Sequence, residues 1–157
     1  MSIGQNFTLR IMIVDGYRGN INSLSGHLAG LAVPPQIITA TDPQTAMTRL
    51  ETESFDLVII DTCLSGKMDG FDLCRALRLS TSTQPLPIIL ILSGCLSLER
   101  YRGMAVGADL LIHKPIVKEE LLKMAQLLLG RKLEQAQSSR PTESASAVPV
   151  RKLRSVS

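Results

Sequence analysis

The chain has 157 residues, enough for one domain of ordinary size and a remainder, and its 45% hydrophobic and 20% charged residues are a globular composition. That excludes wholesale disorder and collagen-like repeats, and no apolar run approaches the ~18 residues a transmembrane helix needs. The net charge of +3 belongs to the tail: residues 1–130 hold 11 Lys/Arg against 12 Asp/Glu, and residues 131–157 hold 6 against 2, which argues against a dedicated nucleic-acid-binding domain.

Leu9–Val14 is a short apolar run suited to a buried strand. Tyr17, Ile21, Leu24, Leu28 and Leu31 follow at helical spacing, and Pro34-Pro35 ends that helix. Gln36–Thr41 reads as a second strand. Asp42 caps a helix with Pro43 at its first position and Ala46, Met47 and Leu50 on its apolar side. Phe55–Ile60 is a third strand, ending at Asp61. A Gly- and Ser-containing loop leads to a helix from about Phe71 to Leu79. Pro87–Leu92 is the fourth and most apolar strand, ending at Ser93. Leu98–Val106 is a helix stopped by Gly107. Leu110–Ile112 is a short fifth strand before Lys114-Pro115. Lys118–Leu129 is the last helix, with Leu121, Leu122, Ala125, Leu128 and Leu129 inward. Met12, Met47, Met104 and Met124 fall on expected buried faces.

Five near-continuous apolar strands alternating with five helices imply an α/β fold, a doubly wound five-stranded parallel sheet covered on both faces. Residues 1–130 form this domain. The small, polar and Pro-interrupted residues of the 131–157 segment read as a disordered basic tail from about Ser138, because they cannot bury enough apolar surface to offset ordering entropy. Met1-Ser-Ile-Gly-Gln-Asn lacks the order of a signal peptide, so a cytoplasmic location and reduced, mostly buried thiols at Cys63, Cys74 and Cys95 are expected. Neither cysteine nor histidine spacing fits a zinc site.

In such sheets function lies beyond the carboxyl ends of the strands. Asp15, Asp61, Ser93 and Lys114 all sit there. Two neighbouring carboxylates ionise together only beside a cation, and hard oxygens with room for water suit Mg²⁺. A lysine and a serine hydroxyl suit phosphoryl oxygens, and a carboxylate is a competent nucleophile for phosphoryl transfer. No phosphate-cradling glycine loop follows the first strand.

The pieces Ile11-Met-Ile-Val-Asp15, Phe55-Asp-Leu-Val-Ile-Ile-Asp61, Met68-Asp-Gly-Phe71, Pro87-Ile-Ile-Leu-Ile-Leu-Ser93, Gly107-Ala-Asp109 and Lys114-Pro115 occur in order, each on its expected element. Together they resemble the receiver domain of bacterial two-component response regulators, of the single-domain chemotaxis-regulator type, over about Leu9 to Leu129. The resemblance implies that Asp61 is the phosphoacceptor, that Asp15 belongs to an acidic pocket, and that the backbone carbonyl of Cys63 joins Asp15 and Asp61 around Mg²⁺. It implies that Ser93 turns toward the phosphoryl group and that Lys114 is its cationic partner. It implies a histidine kinase or phosphotransfer protein as donor and a downstream protein as output. The helix four to helix five face would change on phosphorylation, and a homodimer through that face stays open. A signalling protein of this kind is not counted here as an enzyme, and neither a membrane nor direct nucleic-acid binding is expected.

Four departures stand against the family pattern. Gly16 occupies the place of a second acid, which weakens the expected Mg²⁺ site. Leu111 occupies the place of the aromatic switch, Ser65 that of a proline, and the step from Asp61 to Asp69-Gly70 is one residue longer than the commonest spacing. Gly16 and Leu111 favour the alternative of a pseudo-receiver, a protein-interaction module working without phosphorylation. A flavodoxin-like flavin or nucleotide binder is a third reading, opposed by the missing phosphate loop. Among the remaining polar residues, Asp69-Gly70 reads as a turn before the third helix, Asp109 as a surface loop residue, His113 as an exposed strand end, and Arg100 and Arg102 as part of a solvated helix face.

Overall fold

The computed structural model describes residues 7–94 and 97–138. The strands are β1 (Arg10–Val14), β2 (Gln36–Ala40), β3 (Leu57–Asp61), β4 (Ile88–Leu92) and β5 (Leu110–His113). They alternate with helices α1 (Arg18–Leu28), α2 (Pro43–Thr52), α3 (Gly70–Leu79), α4 (Ser97–Ala105) and α5 (Lys118–Ser138). The sheet is parallel throughout, in the order β2-β1-β3-β4-β5. The expected doubly wound architecture is therefore the observed one.

Strand alternation sorts the core into two layers. Ile11 and Ile13 of β1, Ile59 of β3 and Ile89 and Ile91 of β4 face Ile21, Leu24 and Leu28 of α1 and Leu121, Ala125 and Leu129 of α5. Met12, Val14, Val58, Ile60, Ile88, Leu90 and Leu92 face α2 and α3, through Ala46, Leu50, Phe71, Leu73, Cys74 and Leu77. All five residues of β3 and of β4 are buried, as expected for central parallel strands clad on both sides.

Local chemistry sets the ends of the helices. Asp42 caps α2 by accepting from the Thr45 N–H, with Pro43 in the first turn. Asp69 and Asp72 form a reciprocal capping box on α3. Gly107 follows α4 at φ 92°, a left-handed conformation in which a side chain is strained.

The structure departs from the sequence reading at α5. The helix runs to Ser138 instead of stopping at Leu129, so residues 131–138, grouped with the 131–157 tail rather than with the domain, are helical. Leu133 continues the inward row and is buried, and Lys132 Nζ meets Asp56 Oδ1 at 2.5 Å. The rest of the tail, residues 139–157, lies outside the described residues. Met104 is a second correction: it is 71% exposed on α4, while Met12 is buried and Met47 and Met124 pack partly buried against the two layers.

Candidate functional site

The parallel register delivers the chemistry to one edge. Val14 pairs with Ile60, so Asp15 and Asp61 end adjacent strands side by side. Asp61 is the last residue of β3, Ser93 follows β4, and Lys114 follows β5 with its N–H donating to the Leu92 carbonyl. The structure thus brings together the four residues singled out from the sequence. Lys114 Nζ lies 2.5 Å from Asp61 Oδ2 and donates to Ser93 Oγ at 3.3 Å. The Lys114–Pro115 peptide is cis.

Cys63 contributes twice. Its N–H donates to Asp61 Oδ1 at 2.7 Å, which fixes the carboxylate plane, and its thiol reaches Ser93 Oγ at 3.1 Å. Asp15 Oδ1 accepts from the Tyr17 N–H at 2.8 Å. Asp15 therefore ties the turn into α1 while Oδ2 is left buried without a hydrogen-bond partner. Asp61 Oδ2 is answered by the Lys114 charge rather than by a well-aligned donor.

Asp61 and Asp15 are 1% and 3% exposed, so both carboxyls are withdrawn from bulk water. Burial pushes the Asp15 carboxyl above its ordinary range. The Tyr17 N–H works against that, and the charge of Asp61 adds to it. Burial alone would lower the Lys114 pKa, but its hydrogen bond and charge pairing with Asp61, with Asp15 behind, hold it above the ordinary lysine value.

An orphaned, buried carboxylate oxygen beside a second carboxylate is what a small hydrated cation satisfies. The donors fit such an ion held by Asp15 and Asp61, with the rest of its shell from the main chain and water. Among the described residues no group of three or more His, Cys, Asp or Glu is arranged to hold a metal. Gly16 supplies no third carboxylate, although a Cβ there would meet nothing nearer than the Thr41 carbonyl oxygen, at 3.8 Å.

Around this centre several readings change. Gly70 is more than a turn residue, because a Cβ at that position would overlap the Asp61 carbonyl oxygen and lie 2.6 Å from Thr62 Cα. Asp109 is the surface loop residue expected, and it is also a structural acceptor: it takes the Ile88 N–H at 2.8 Å and Arg78 Nη2 at 2.7 Å. Arg102 lies on the exposed face of α4 as expected, but its side chain is tied there: Nη2 reaches Asp69 Oδ2 at 3.1 Å and the guanidinium lies over the Phe71 ring. Cys63 is exposed, against the expectation of mostly buried thiols, while Cys74 is buried and its thiol is pushed up to about 11 by desolvation. Cys95 lies outside the described residues. His113 is half-buried at the end of β5 rather than exposed. Leu111, at the switch position, packs against Gly103 of α4. Thr62, unremarked in the sequence, is buried and bonds the Ile91 carbonyl through Oγ1 at 2.9 Å, tying β3 to β4 beside the acceptor.

Comparison with known proteins places this arrangement. The family model of the response regulator receiver domain matches residues 11–126. The chain is 40% identical over 83 residues to the phosphate regulon transcriptional regulatory protein PhoB of Rhizobium meliloti, covering 53% of this chain and 36% of that protein. It is 32% identical over 107 residues to the response regulator PleD of Caulobacter vibrioides, covering 68% of this chain and 23% of that protein. The chain thus spans about a quarter to a third of these relatives' length. Among solved structures, the chemotaxis response regulator CheY4 of Vibrio cholerae superposes with a TM-score of 0.70 at 26% identity, over 78% of this chain and 100% of that one. A two-component response regulator from Clostridium difficile gives 0.70 at 25% identity, over 80% and 98%.

Proposed function

This chain belongs to the response regulator receiver domain family of two-component signalling, and we propose that it accepts a phosphoryl group on Asp61. The observation that carries this is the ion pair of Asp61 Oδ2 with Lys114 Nζ at the sheet edge, with Ser93 Oγ beside it and Asp15, whose Oδ2 has no hydrogen-bond partner, alongside. It is a preformed anion-binding frame around a carboxylate nucleophile.

In the proposed step a carboxylate oxygen of Asp61 forms a bond to phosphorus, and the bond from phosphorus to the donor's leaving atom breaks. The Cys63 N–H holds Asp61 Oδ1 and so presents the other oxygen. Lys114 and the Ser93 hydroxyl shift from Asp61 and from each other to the incoming phosphoryl oxygens. Asp15, with Asp61 and the main chain at Cys63, would hold Mg²⁺, which supplies charge neutralisation between the carboxylates and the phosphoryl group. A histidine kinase or phosphotransfer protein is the proposed donor, a downstream protein the proposed receiver of the signal, and the cytoplasm the proposed setting. The described helices include none long and apolar enough to cross a membrane. Phosphorylation at a residue of the protein's own is signalling rather than turnover of a substrate.

A second reading, a protein-interaction module independent of phosphorylation, is favoured by Gly16 and by Leu111, an aliphatic side chain lodged against Gly103. Intact mass separates the two. Incubated with acetyl phosphate, wild type gains one phosphoryl mass with Mg²⁺ and none without it, and Asp61→Asn gains none. Folded wild type that stays unmodified at every Mg²⁺ concentration overturns the phosphorylation reading.

A further inference from the structure

We propose that Arg102 is a latch that ties α4 to the N-terminus of α3, next to Asp61, and that its opening frees α4 to move. Helix α4 is weakly seated. Of its nine residues only Gly103 is buried, and Gly103 has no side chain to bury. Leu98, Tyr101 and Met104 are 73%, 74% and 71% exposed. The backbone at Gly103 rests on Leu111, where a Cβ would come within 2.6 Å of Cδ2. An element with so little buried apolar surface sits at the low end of local stability, so single tethers weigh heavily on it.

Arg102 is that tether. Its Nη2 donates to Asp69 Oδ2 at 3.1 Å and lies 3.9 Å from Asp72 Oδ1, and its guanidinium stands 4.3 Å from the Phe71 ring centroid. The planar cation is thus held by two carboxylates and one aromatic face, a set that Lys cannot reproduce. Another polar bond from α4, Glu99 Oε2 accepting the Gly94 N–H at 2.9 Å, reaches only the loop leading into the helix.

The far end of the latch is next to the phosphoacceptor. Asp69 and Asp72 are the two halves of the α3 capping box, and Gly70 between them packs directly on the Asp61 carbonyl. A shift of the Asp61 main chain is therefore passed to Gly70, from there to Asp69, and so to Arg102 and α4. The device differs in kind from a swinging aromatic at position 111, which this chain lacks. The latch stands on the resting geometry alone; its release by phosphorylation rests on the proposed chemistry at Asp61.

Hydrogen exchange of the unphosphorylated protein tests the latch. Amides of residues 97–105 should exchange about fivefold to tenfold faster in Arg102→Ala, the scale of an exposed ion pair plus a cation–π contact. Asp69→Asn, which keeps the cap but removes the charge, should do the same. Arg102→Lys should fall between, and residues 43–52 of α2 should not change. Equal α4 exchange in wild type and Arg102→Ala overturns the latch. In wild type carrying the phosphoryl mass, α4 exchange should rise to the Arg102→Ala level, and unchanged exchange there overturns the release step. If no phosphoryl mass forms, the reading at Asp61 fails and the release step falls with it, while the unphosphorylated comparison still decides the latch.

Discussion

At the residue scale, Gly70 and Asp15 press on the phosphoacceptor from different sides. Gly70 has no space for a methyl group, because the Asp61 carbonyl and Thr62 Cα occupy it. Gly70→Ala must move backbone rather than a flexible side chain, which costs about 1–3 kcal/mol. Urea denaturation should show that loss, and an unchanged midpoint would mean the contact is looser than described. Asp15 makes a claim about pH. Burial raises its folded-state pKa above the ordinary value of 3.8. Below 3.8 both folded and unfolded chains are protonated and the group contributes nothing. As pH rises through 3.8 the unfolded chain releases the proton while the fold keeps it, so stability falls until the folded pKa is passed. Asp15→Asn keeps an acceptor for the Tyr17 N–H and removes the charge. In metal-free buffer it should therefore be more stable than wild type at pH 7, with the gain vanishing below pH 3.8. A destabilised Asp15→Asn protein at pH 7 contradicts the electrostatic account.

At the scale of elements, α5 reports what the sequence leaves hidden. The pattern up to Leu129 is dense with leucine, and afterwards Arg131-Lys-Leu-Glu-Gln-Ala-Gln offers only Leu133 and Ala136 among polar residues. Yet Leu121, Ala125, Leu129 and Leu133 recur every fourth residue and all are buried. The helix continues because Lys132 finds Asp56 and Leu133 finds the core edge, partners invisible to local composition. Leu133→Ala should cost roughly 2–3 kcal/mol, the low part of the range for a buried leucine at the margin of a core. A shift in urea midpoint equivalent to less than about 0.5 kcal/mol, the scatter of surface substitutions, would return residues 131–138 to the status of a tail. The same limit explains Arg102 and Met104. Spacing alone put α4 on a conventional amphipathic pattern, but its burial depends on how closely β5 approaches, and Gly103 sets that approach. The strands, α2 and α3 were readable because their burial is dictated by their own alternation and caps, whereas α1 ends at Leu28, short of the Leu31 and Pro34-Pro35 that the sequence offers as its end.

At the scale of the whole molecule, the site was legible for a topological reason. Parallel strands all end on one edge, so four polar residues that close apolar runs must meet there, whatever their separation in sequence. Asp15, Asp61, Ser93 and Lys114 do meet. The orientation of their neighbours was not legible: nothing in the order of residues says that the Cys63 thiol turns to Ser93 or that Gly70 backs onto Asp61. Those contacts depend on loop paths rather than on periodicity. The central claim remains chemical, that Asp61 carries the phosphoryl group, and chemical trapping tests it most directly. An aspartyl phosphate is a mixed anhydride that borohydride reduces to homoserine, whereas a free carboxylate is inert. After treatment with acetyl phosphate and Mg²⁺, then borohydride, peptide mapping should find homoserine at position 61 and at no other aspartate. Aspartate intact at 61, or homoserine at Asp15 or Asp69 instead, would contradict the account.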